Sequence, residues 1–229
     1  MRPREHVLVV GGGIAGLALA AALDPRRVHV TLVEERPERA GAGTVLALWR
    51  GGRDALDAIG VGEATRRISL PVTGGALRRC DGRPIHELRS AGHGAPRLWF
   101  VPRPDLVVAL EAAIPPSVTR LTELVTDPRA LASSTGADLV VGADGVWSEI
   151  RKLIKGAPSP RFSGQVAWRF KVPADVARSV LNPASVTAFL GPRTHLVAYP
   201  LENGRTFNMV AITRGNDPGQ TWAQREQPD

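Results

Sequence analysis

The sequence predicts an α/β fold in which a parallel sheet with connecting helices is joined to a second sheet of mixed or antiparallel strands. Residues 6–34 alternate strand, helix and strand, which is how a parallel sheet begins. A chain of 229 residues can bury the core of one large domain or of two small ones. After residue 160 the pattern changes to short strands, with an Asn-Gly pair at 203–204 that favours a tight connection. These strands are expected at 165–172, 185–190, 195–200 and 206–212.

A glycine-rich turn connects the first strand to the first helix. The segment Gly11–Gly16 follows an apolar run and precedes an alanine-rich one. In a dinucleotide-binding turn the first glycine allows a tight bend, the second lets the backbone approach a pyrophosphate, and the third lets the helix pack closely. We expect these roles for Gly11, Gly13 and Gly16. The first helical turn offers free N–H groups and partial positive charge to phosphates, which makes Ile14 and Ala15 candidate binding residues.

An acidic pair ends the second strand. The apolar run 28–33 is followed by Glu34 and Glu35, about 20 residues after the glycines. A carboxylate at this place accepts hydrogen bonds from an adenosine ribose, and we assign this role to Glu34 with Glu35 beside it. A glycine fingerprint by itself is weak evidence for dinucleotide binding. A strand, a helix, a second strand and an acidic residue at the expected spacing around it are specific evidence. The sequence therefore predicts a dinucleotide site, with an ordinary glycine-rich turn as the alternative.

The composition narrows the classes of function. The net charge is +7, but the arginines are scattered and lack interleaved aromatic residues, so we expect no nucleic-acid partner. Cys80 is the single cysteine, and His86 and His93 have no metal-ligand spacing, so neither an internal disulfide nor a metal site is expected. No apolar stretch approaches the roughly 20 residues that cross a bilayer. Because the chain opens with a strand, we expect no signal peptide. The single cysteine favours a reducing compartment, so we expect a cytoplasmic location.

A short apolar strand at 138–142 leads into a second candidate segment. Apolar runs of this kind are typical of buried parallel strands. Asp144 follows this strand between Ala143 and Gly145, where open α/β sheets bind ligands, so its carboxylate is a candidate partner for ribityl or ribose hydroxyls. An ordinary strand-to-helix turn is the alternative, since Asp-Gly is a common turn pair. Ser148 is expected to cap a helix over 149–155.

The remaining segments predict two domains, each built from two separate parts of the chain. We expect a nucleotide-binding domain from residues 1–70 and 100–160, and a β-rich, incomplete substrate domain from 71–99 and 161–229. Residues 118–137 show no clear pattern. Further helices are expected near 52–59, 105–113 and 175–180, a strand at 98–101, and a hairpin between 77–79 and 85–87 around Asp81-Gly82.

Taken in order, these segments resemble a known family, the group A flavoprotein monooxygenases of the salicylate and para-hydroxybenzoate hydroxylase type. The resemblance covers most of the chain, although residues 161–229 match only loosely. The segments that carry it are the glycine turn with Glu34, the loop 39–43, the segment 103–106, the segment 142–151, and weaker matches at 166–169 and 198–200.

The resemblance implies one FAD held by residues 1–160, with NADH or NADPH as reductant and no separate domain for it. It further implies that reduced flavin and O2 form a C4a-hydroperoxide, which hydroxylates a small, electron-rich, usually aromatic substrate. By position, the glycines would hold the pyrophosphate, Glu34 the ribose, Asp144 the ribityl chain, and Arg39 and Arg103 further parts of the cofactor. For each arginine a surface salt bridge is the alternative. No catalytic residue is assigned.

One family motif has no counterpart. The family carries Gly-Asp-Ala-Ala-His followed by a Pro-x-x-Gly-Gln-Gly loop, and this chain has only a fragment of it at 218–220. We therefore expect a C-terminally truncated chain with little hydroxylase activity by itself. A non-catalytic nucleotide-binding remnant and a flavin-dependent dehydrogenase are the alternatives. Four residues of the second sheet could face a substrate, although packing is the commoner role for such side chains: His195, Arg169, Trp168 and Tyr199.

Overall fold

A computed structural model confirms the α/β class, and its chain divides into two compact units. One unit contains Met1–Ser69 and Val101–Pro160, and the other contains Leu70–Phe100 and Arg161–Asp229. The structure describes residues 5–35, 45–72, 74–89 and 98–220.

The elements of the first part of the chain, through residue 102, are β1 (Glu5–Val10), α1 (Ile14–Ala22), β2 (Val28–Glu34), β3 (Val45–Leu48), α2 (Arg50–Ala58), α3 (Gly62–Ile68), β4 (Leu70–Val72), β5 (Gly74–Arg79), β6 (Pro84–Arg89) and β7 (Leu98–Pro102). They are followed by α4 (Arg103–Ala113), β8 (Thr119–Thr122), α5 (Pro128–Thr135), β9 (Leu139–Gly142), α6 (Glu149–Lys152), β10 (Gln165–Pro173), α7 (Ala174–Ala177), β11 (Ser185–Leu190), β12 (His195–Leu201) and β13 (Thr206–Arg214).

The first unit contains a four-stranded parallel sheet in the order β8, β2, β1, β9. The apolar runs of β1 and β2 are buried, as expected for parallel strands covered on both faces. One side of this sheet packs against α5 and α6. Its core consists of Leu8, Val10, Val33, Leu131 and Ile150.

The poorly patterned region 118–137 contains a strand and a helix that the sequence did not predict. β8 pairs with β2 at the sheet edge, where only Leu121 of its four residues is apolar, so no alternation marks it. α5 does carry local signals. The Asp127 carboxylate accepts hydrogen bonds from two backbone N–H groups of the first turn, Pro128 occupies that turn, and Gly136 ends the helix at a φ of 66°.

The helix expected over 149–155 is shorter, which corrects that prediction. Ser148 does cap it, because its hydroxyl oxygen accepts a hydrogen bond from the Arg151 N–H. The helix ends at Lys152. Beyond it, Leu153 and Ile154 donate to carbonyls only three residues back, and Gly156 follows at a φ of 80°. These tightened turns stop the regular helical bonding.

The second unit contains a six-stranded sheet in the order β10, β13, β12, β11, β5, β6. Adjacent strands of this sheet are antiparallel except for the parallel pair β11 and β5, so the sheet is mixed, as predicted. The predicted hairpin between β5 and β6 is confirmed, with longer strands. Helix α7, shorter than the expected 175–180, covers one face of the sheet. The core beneath it contains Ala174, Ala177, Leu181, Ala198 and Phe207.

Within the described residues, no helix is long and apolar enough to cross a membrane.

Candidate functional site

Two of the three fingerprint glycines are required by the chain's own packing. Gly11 adopts a φ of 109°, and a Cβ there would collide with the carbonyl oxygen of Ala143. A Cβ on Gly16 would collide with the carbonyl oxygen of Gly11. The turn after β1, the start of α1 and the turn after β9 are therefore packed backbone against backbone. Any side chain at Gly11 or Gly16 would push these three segments apart.

Gly13 differs from the other two glycines. It has an ordinary φ of −74°, and a Cβ built on it would have no atom within 4 Å. Neither the backbone nor protein packing demands a glycine here, so the open space in front of it is what the missing side chain preserves. Within the described residues, the N–H groups of Gly13, Ile14 and Ala15 have no hydrogen-bond acceptor. Such an open helix start fits a pyrophosphate.

Glu34 lies directly beside the glycine turn. Its Oε2 accepts a hydrogen bond of 2.7 Å from the Gly12 N–H, and the residue is half-buried. A Cβ on Gly12 would approach the Glu34 Cβ to 2.7 Å, so the acid and the turn are in close contact. Glu35 follows and is also half-buried. The acid predicted to bind the ribose thus also holds the turn in shape.

Asp144 is anchored within its own turn. Its Oδ1 accepts from the Ser148 hydroxyl at 2.6 Å, and its Oδ2 accepts from the N–H groups of Glu149 at 2.8 Å and Ile150 at 3.2 Å. A carboxylate has about four acceptor positions, so most of them are used by the start of α6. The carboxylate therefore holds the helix start whether or not it also contacts a ligand.

Arg151 supports the same turn from the other side. Its guanidinium donates to the carbonyl of Val146 at 2.6 Å and to that of Gly145 at 3.0 Å. Gly145 adopts a φ of 80°, which glycine accepts without steric cost, so the turn requires a glycine at this position. No role was predicted for Arg151 beyond its place in the segment 142–151, and no local sequence pattern marks its two contacts with backbone carbonyls.

Of the two candidate arginines, Arg103 lies within the described residues and Arg39 does not. Arg103 is the first residue of α4, is half-buried, and makes no hydrogen bond or ion pair with any part of the chain that the structure describes. Arg39 and its loop 39–43 lie outside the described residues. The structure thus brings the glycines, Glu34 and the turn at Asp144 together, and shows no contact from Arg103 to them.

The second sheet holds the remaining candidates. Tyr199 is 7% exposed, and its ring is stacked on Phe100 with centroids 4.3 Å apart. Burial raises the pKa of its hydroxyl, and the hydrogen bond from Asn208 together with the charge of Arg169 partly oppose this. Trp168 donates from Nε1 to the Thr213 hydroxyl at 2.9 Å and is 39% exposed. Arg169 and His195 are exposed.

Asn208 is a buried polar residue that the sequence analysis missed. It is 2% exposed and donates from Nδ2 to the Tyr199 hydroxyl oxygen at 2.6 Å. Its position between Phe207 and Met209 in a strand is the signal that was available, since a buried amide needs a partner.

A shallow groove of about 240 Å³ lies elsewhere on the same unit, lined by Cys80, Phe189, Gly191, Thr194, His195 and Leu196. No cluster of three or more potential metal ligands occurs among the described residues.

A parallel sheet with a glycine turn and an acid at the carboxyl ends of its central strands defines the class of dinucleotide-binding α/β proteins. Residues 4–228 match the sequence family described as "FAD binding domain", and the chain belongs to this family.

Characterised relatives are aromatic hydroxylases. The chain is 33% identical to 3-amino-4-hydroxybenzoate 2-monooxygenase of Streptomyces cremeus, over 93% of this chain and 58% of that protein. It is 29% identical to 3-hydroxybenzoate 6-hydroxylase 1 of Aquipseudomonas alcaligenes, over 90% of this chain and 57% of that protein. The chain therefore spans little more than half the length of these relatives.

Solved structures agree on the fold. A salicylate hydroxylase solved as its substrate complex matches with a TM-score of 0.76 and 22% identity, over 100% of this chain and 60% of that one. A variant of HpxO from Klebsiella pneumoniae, solved in complex with FAD, matches with a TM-score of 0.75 and 23% identity, over 96% of this chain and 59% of that one.

Proposed function

We propose that this chain is the FAD-holding and substrate-facing part of a hydroxylase that uses NADH or NADPH and O2 to hydroxylate a small aromatic molecule. The observation that carries the proposal is Gly13, because neither its φ of −74° nor protein packing requires a glycine at the start of α1, whereas a pyrophosphate beside it would. The names of the relatives support the aromatic substrate.

In this proposal the first unit is the FAD-binding domain and the second the substrate domain. The N–H groups of Gly13, Ile14 and Ala15 bind the pyrophosphate, aided by the partial positive charge of the helix start. The Glu34 carboxylate, with Glu35 beside it, accepts hydrogen bonds from the adenosine ribose, and the turn at Asp144 lies beside the ribityl chain. Arg103 and Arg39 supply positive charge to the cofactor.

FAD would supply the redox chemistry when it is bound, and the chain's own residues would position its adenosine half. The packed turns at Gly11, Gly16 and Ala143 fix the binding edge before any ligand arrives, so little ordering is required on binding. Arg151 and Asp144 keep the turn after β9 in one conformation. Enclosure matters because an open flavin site releases hydrogen peroxide instead of transferring oxygen to the substrate.

Titration of the protein with FAD, followed by flavin fluorescence, tests the cofactor proposal. We expect saturable binding, displacement by ADP, and much weaker binding of FMN, because the turn and Glu34 recognise the adenosine half. FMN is the matched control, since it carries the same flavin ring. Equal binding of FAD and FMN, or no saturable binding at high micromolar FAD, would contradict the proposal.

Oxygen consumption with NADH or NADPH over a panel of hydroxybenzoates tests the reaction, with product and peroxide measured together. A hydroxylated product supports the proposed activity. Peroxide release without product agrees with the little hydroxylase activity that the sequence predicts for this chain by itself. FAD binding without binding of any aromatic compound would instead favour a nucleotide-binding protein without hydroxylase activity.

A further inference from the structure

Two histidines meet on the parallel sheet of the first unit, near the amino ends of its strands. The register pairs His6 of β1 directly with His29 of β2, so their side chains share one face of the sheet. Their ring centroids are 4.6 Å apart, and the ring planes are inclined by 54°. His6 precedes Gly11 by five residues, which is about 16 Å of extended strand at roughly 3.3 Å per residue. The pair therefore lies away from the glycine turn.

A hydroxyl group holds each of the two imidazole rings. Nε2 of His6 is 2.8 Å from the Thr31 hydroxyl oxygen. Nε2 of His29 is 3.3 Å from the hydroxyl oxygen of Thr119. Within the part of the chain that the structure describes, neither Nδ1 atom has a hydrogen-bond partner. In the tautomer whose Nε2–H donates to the hydroxyl, Nδ1 has the free lone pair, and metal-binding histidines are commonly oriented in this way.

The separation and the tilt of the rings suit a shared metal ion. A zinc ion lies about 2.0–2.1 Å from a ligating imidazole nitrogen, in the plane of the ring. Two imidazoles on one ion, at an angle of about 90° to 110°, therefore have their centroids about 4.5–5.2 Å apart. The observed 4.6 Å falls within this range. Because the lone pairs lie in the ring planes, parallel rings could not direct them at one point, whereas rings inclined by 54° can.

The surroundings of the pair favour a cation. Asp138, which precedes β9, accepts a hydrogen bond from the His6 N–H at 2.7 Å, so a negative charge lies near the rings. His29 is exposed and His6 is half-buried, so an ion can reach them from solvent. Imidazole is a preferred ligand of Zn²⁺, Cu²⁺ and Ni²⁺, whereas Mg²⁺ and Ca²⁺ prefer oxygen.

We propose that His6 and His29 together bind one divalent transition-metal ion of the zinc type, through Nδ1 of each ring, with water as the remaining ligands. Two protein ligands leave the ion exchangeable, unlike the four of a structural zinc site. The bound ion would link β1 to β2, the strands that lead to the glycine turn and to Glu34, and would stabilise the folded chain. The site is separate from the proposed flavin site and does not depend on the proposed function.

Calorimetric titration of the protein with Zn²⁺ tests the site. His29→Gln should weaken Zn²⁺ binding at least about 10-fold, because it removes one of the two ligands. Its side chain is exposed, so the fold should be unaffected. Thr31→Val should weaken binding by a smaller factor, because it removes only the hydroxyl that orients His6. The matched control is His86→Gln, which removes an exposed histidine of β6 and should change nothing.

Two further measurements distinguish metal binding from a merely structural role of the pair. In NMR spectra, Zn²⁺ should shift the imidazole nitrogen signals of His6 and His29 and leave those of His86 in place. Saturating Zn²⁺ should also raise the urea midpoint of the parent protein but not that of His29→Gln, since only an ion bound to the folded chain stabilises it.

The outcomes that would overturn the proposal are equally specific. Zn²⁺ affinity that is unchanged in His29→Gln would exclude the pair as the site. So would a Zn²⁺-induced shift at His86 without one at His6 and His29. Absence of Zn²⁺ binding at millimolar concentration, or Mg²⁺ binding as strong as that of Zn²⁺, would contradict a site made of imidazole nitrogens.

Discussion

The turn after β1 and the turn after β9 pack against each other, yet they differ in how much of their polar surface the chain itself uses. At the first turn, Gly13 faces open space and the N–H groups of the helix start are without acceptors in the described residues. At the second, the Asp144 carboxylate accepts three hydrogen bonds from the start of α6. The first turn therefore has polar groups available to the proposed pyrophosphate, while the second mainly keeps its own shape and supports the first.

The largest effect is expected at the contact between the two turns. Gly16→Ala would place a Cβ against the Gly11 carbonyl oxygen and force α1 away from the turn. We expect the free energy of unfolding to fall by about 3 kcal/mol, with loss of FAD binding. Urea denaturation measures the first effect. An unchanged midpoint would mean that the two turns are not packed as closely as described.

Gly13→Leu should separate binding from stability. Its side chain would enter open space, so the free energy of unfolding should change by no more than about 1 kcal/mol. The same side chain would exclude the pyrophosphate and remove at least two charge-assisted hydrogen bonds. A loss of about 3 kcal/mol, or roughly 100-fold in FAD affinity, follows. Circular dichroism and FAD titration measure the two effects, and normal FAD affinity would place the pyrophosphate elsewhere.

Glu34→Ala tests the acid beside the open turn. The ribose hydroxyls would lose a charged partner, which corresponds to about 10- to 150-fold in FAD affinity. The Gly12 N–H would also lose its acceptor, so stability should fall by about 1 kcal/mol. Glu34→Gln is the control, because the amide oxygen can still accept from Gly12. An FAD affinity unchanged in Glu34→Ala would mean that the ribose does not bind this carboxylate.

Asp144→Asn is expected to have the smallest effect on FAD. One carboxylate oxygen becomes an amide nitrogen, so the start of α6 loses at least one acceptor and about 1 kcal/mol of stability. FAD affinity should fall less than about 10-fold, since the parent carboxylate is mostly engaged within the chain. Denaturation and FAD titration on one sample give both numbers. A drop in FAD affinity as large as that of Glu34→Ala would mean that Asp144 contributes as much to FAD binding as Glu34 does.

The sequence predicted the elements whose patterns are local and regular. The apolar runs of β1 and β2 and the glycine turn after β1 were readable because buried parallel strands are continuously apolar. β9 was correctly predicted as a strand, but its expected burial was wrong, because it lies at the edge of the described sheet. None of its four residues is buried, and Leu139 is 56% exposed. Helix α5 was missed despite its Asp127-Pro128 start and Gly136 end, which are signals of the same local kind. Strand β8 could not be read, since a polar edge strand is defined by its neighbour β2 and not by its own residues.

Within the candidate site, residue types were predictable and their bonding was not. The difference between Gly11 and Gly13 follows from what each would touch, which is fixed by segments far away in sequence such as Ala143. The hydrogen bonds that the Asp144 carboxylate accepts from Ser148 and from the start of α6 likewise follow from side-chain orientation, which the sequence does not give. The pairing of Asn208 with Tyr199 depends on the register between two strands, which sequence patterns alone did not supply.

The pairing of β1 with β9 has a consequence for how the protein is made. The His6 N–H donates to the Asp138 carboxylate across 132 positions of sequence, and the following residues of β1 bond to β9. Until β9 has been synthesised, one edge of β1 stays unpaired, while the hydrogen bonds between β1 and β2 can form much earlier. Contacts of such long range form late and slow folding. The nascent chain therefore exposes an apolar strand edge until β9 has been synthesised, the situation in which chaperones protect a chain from aggregation.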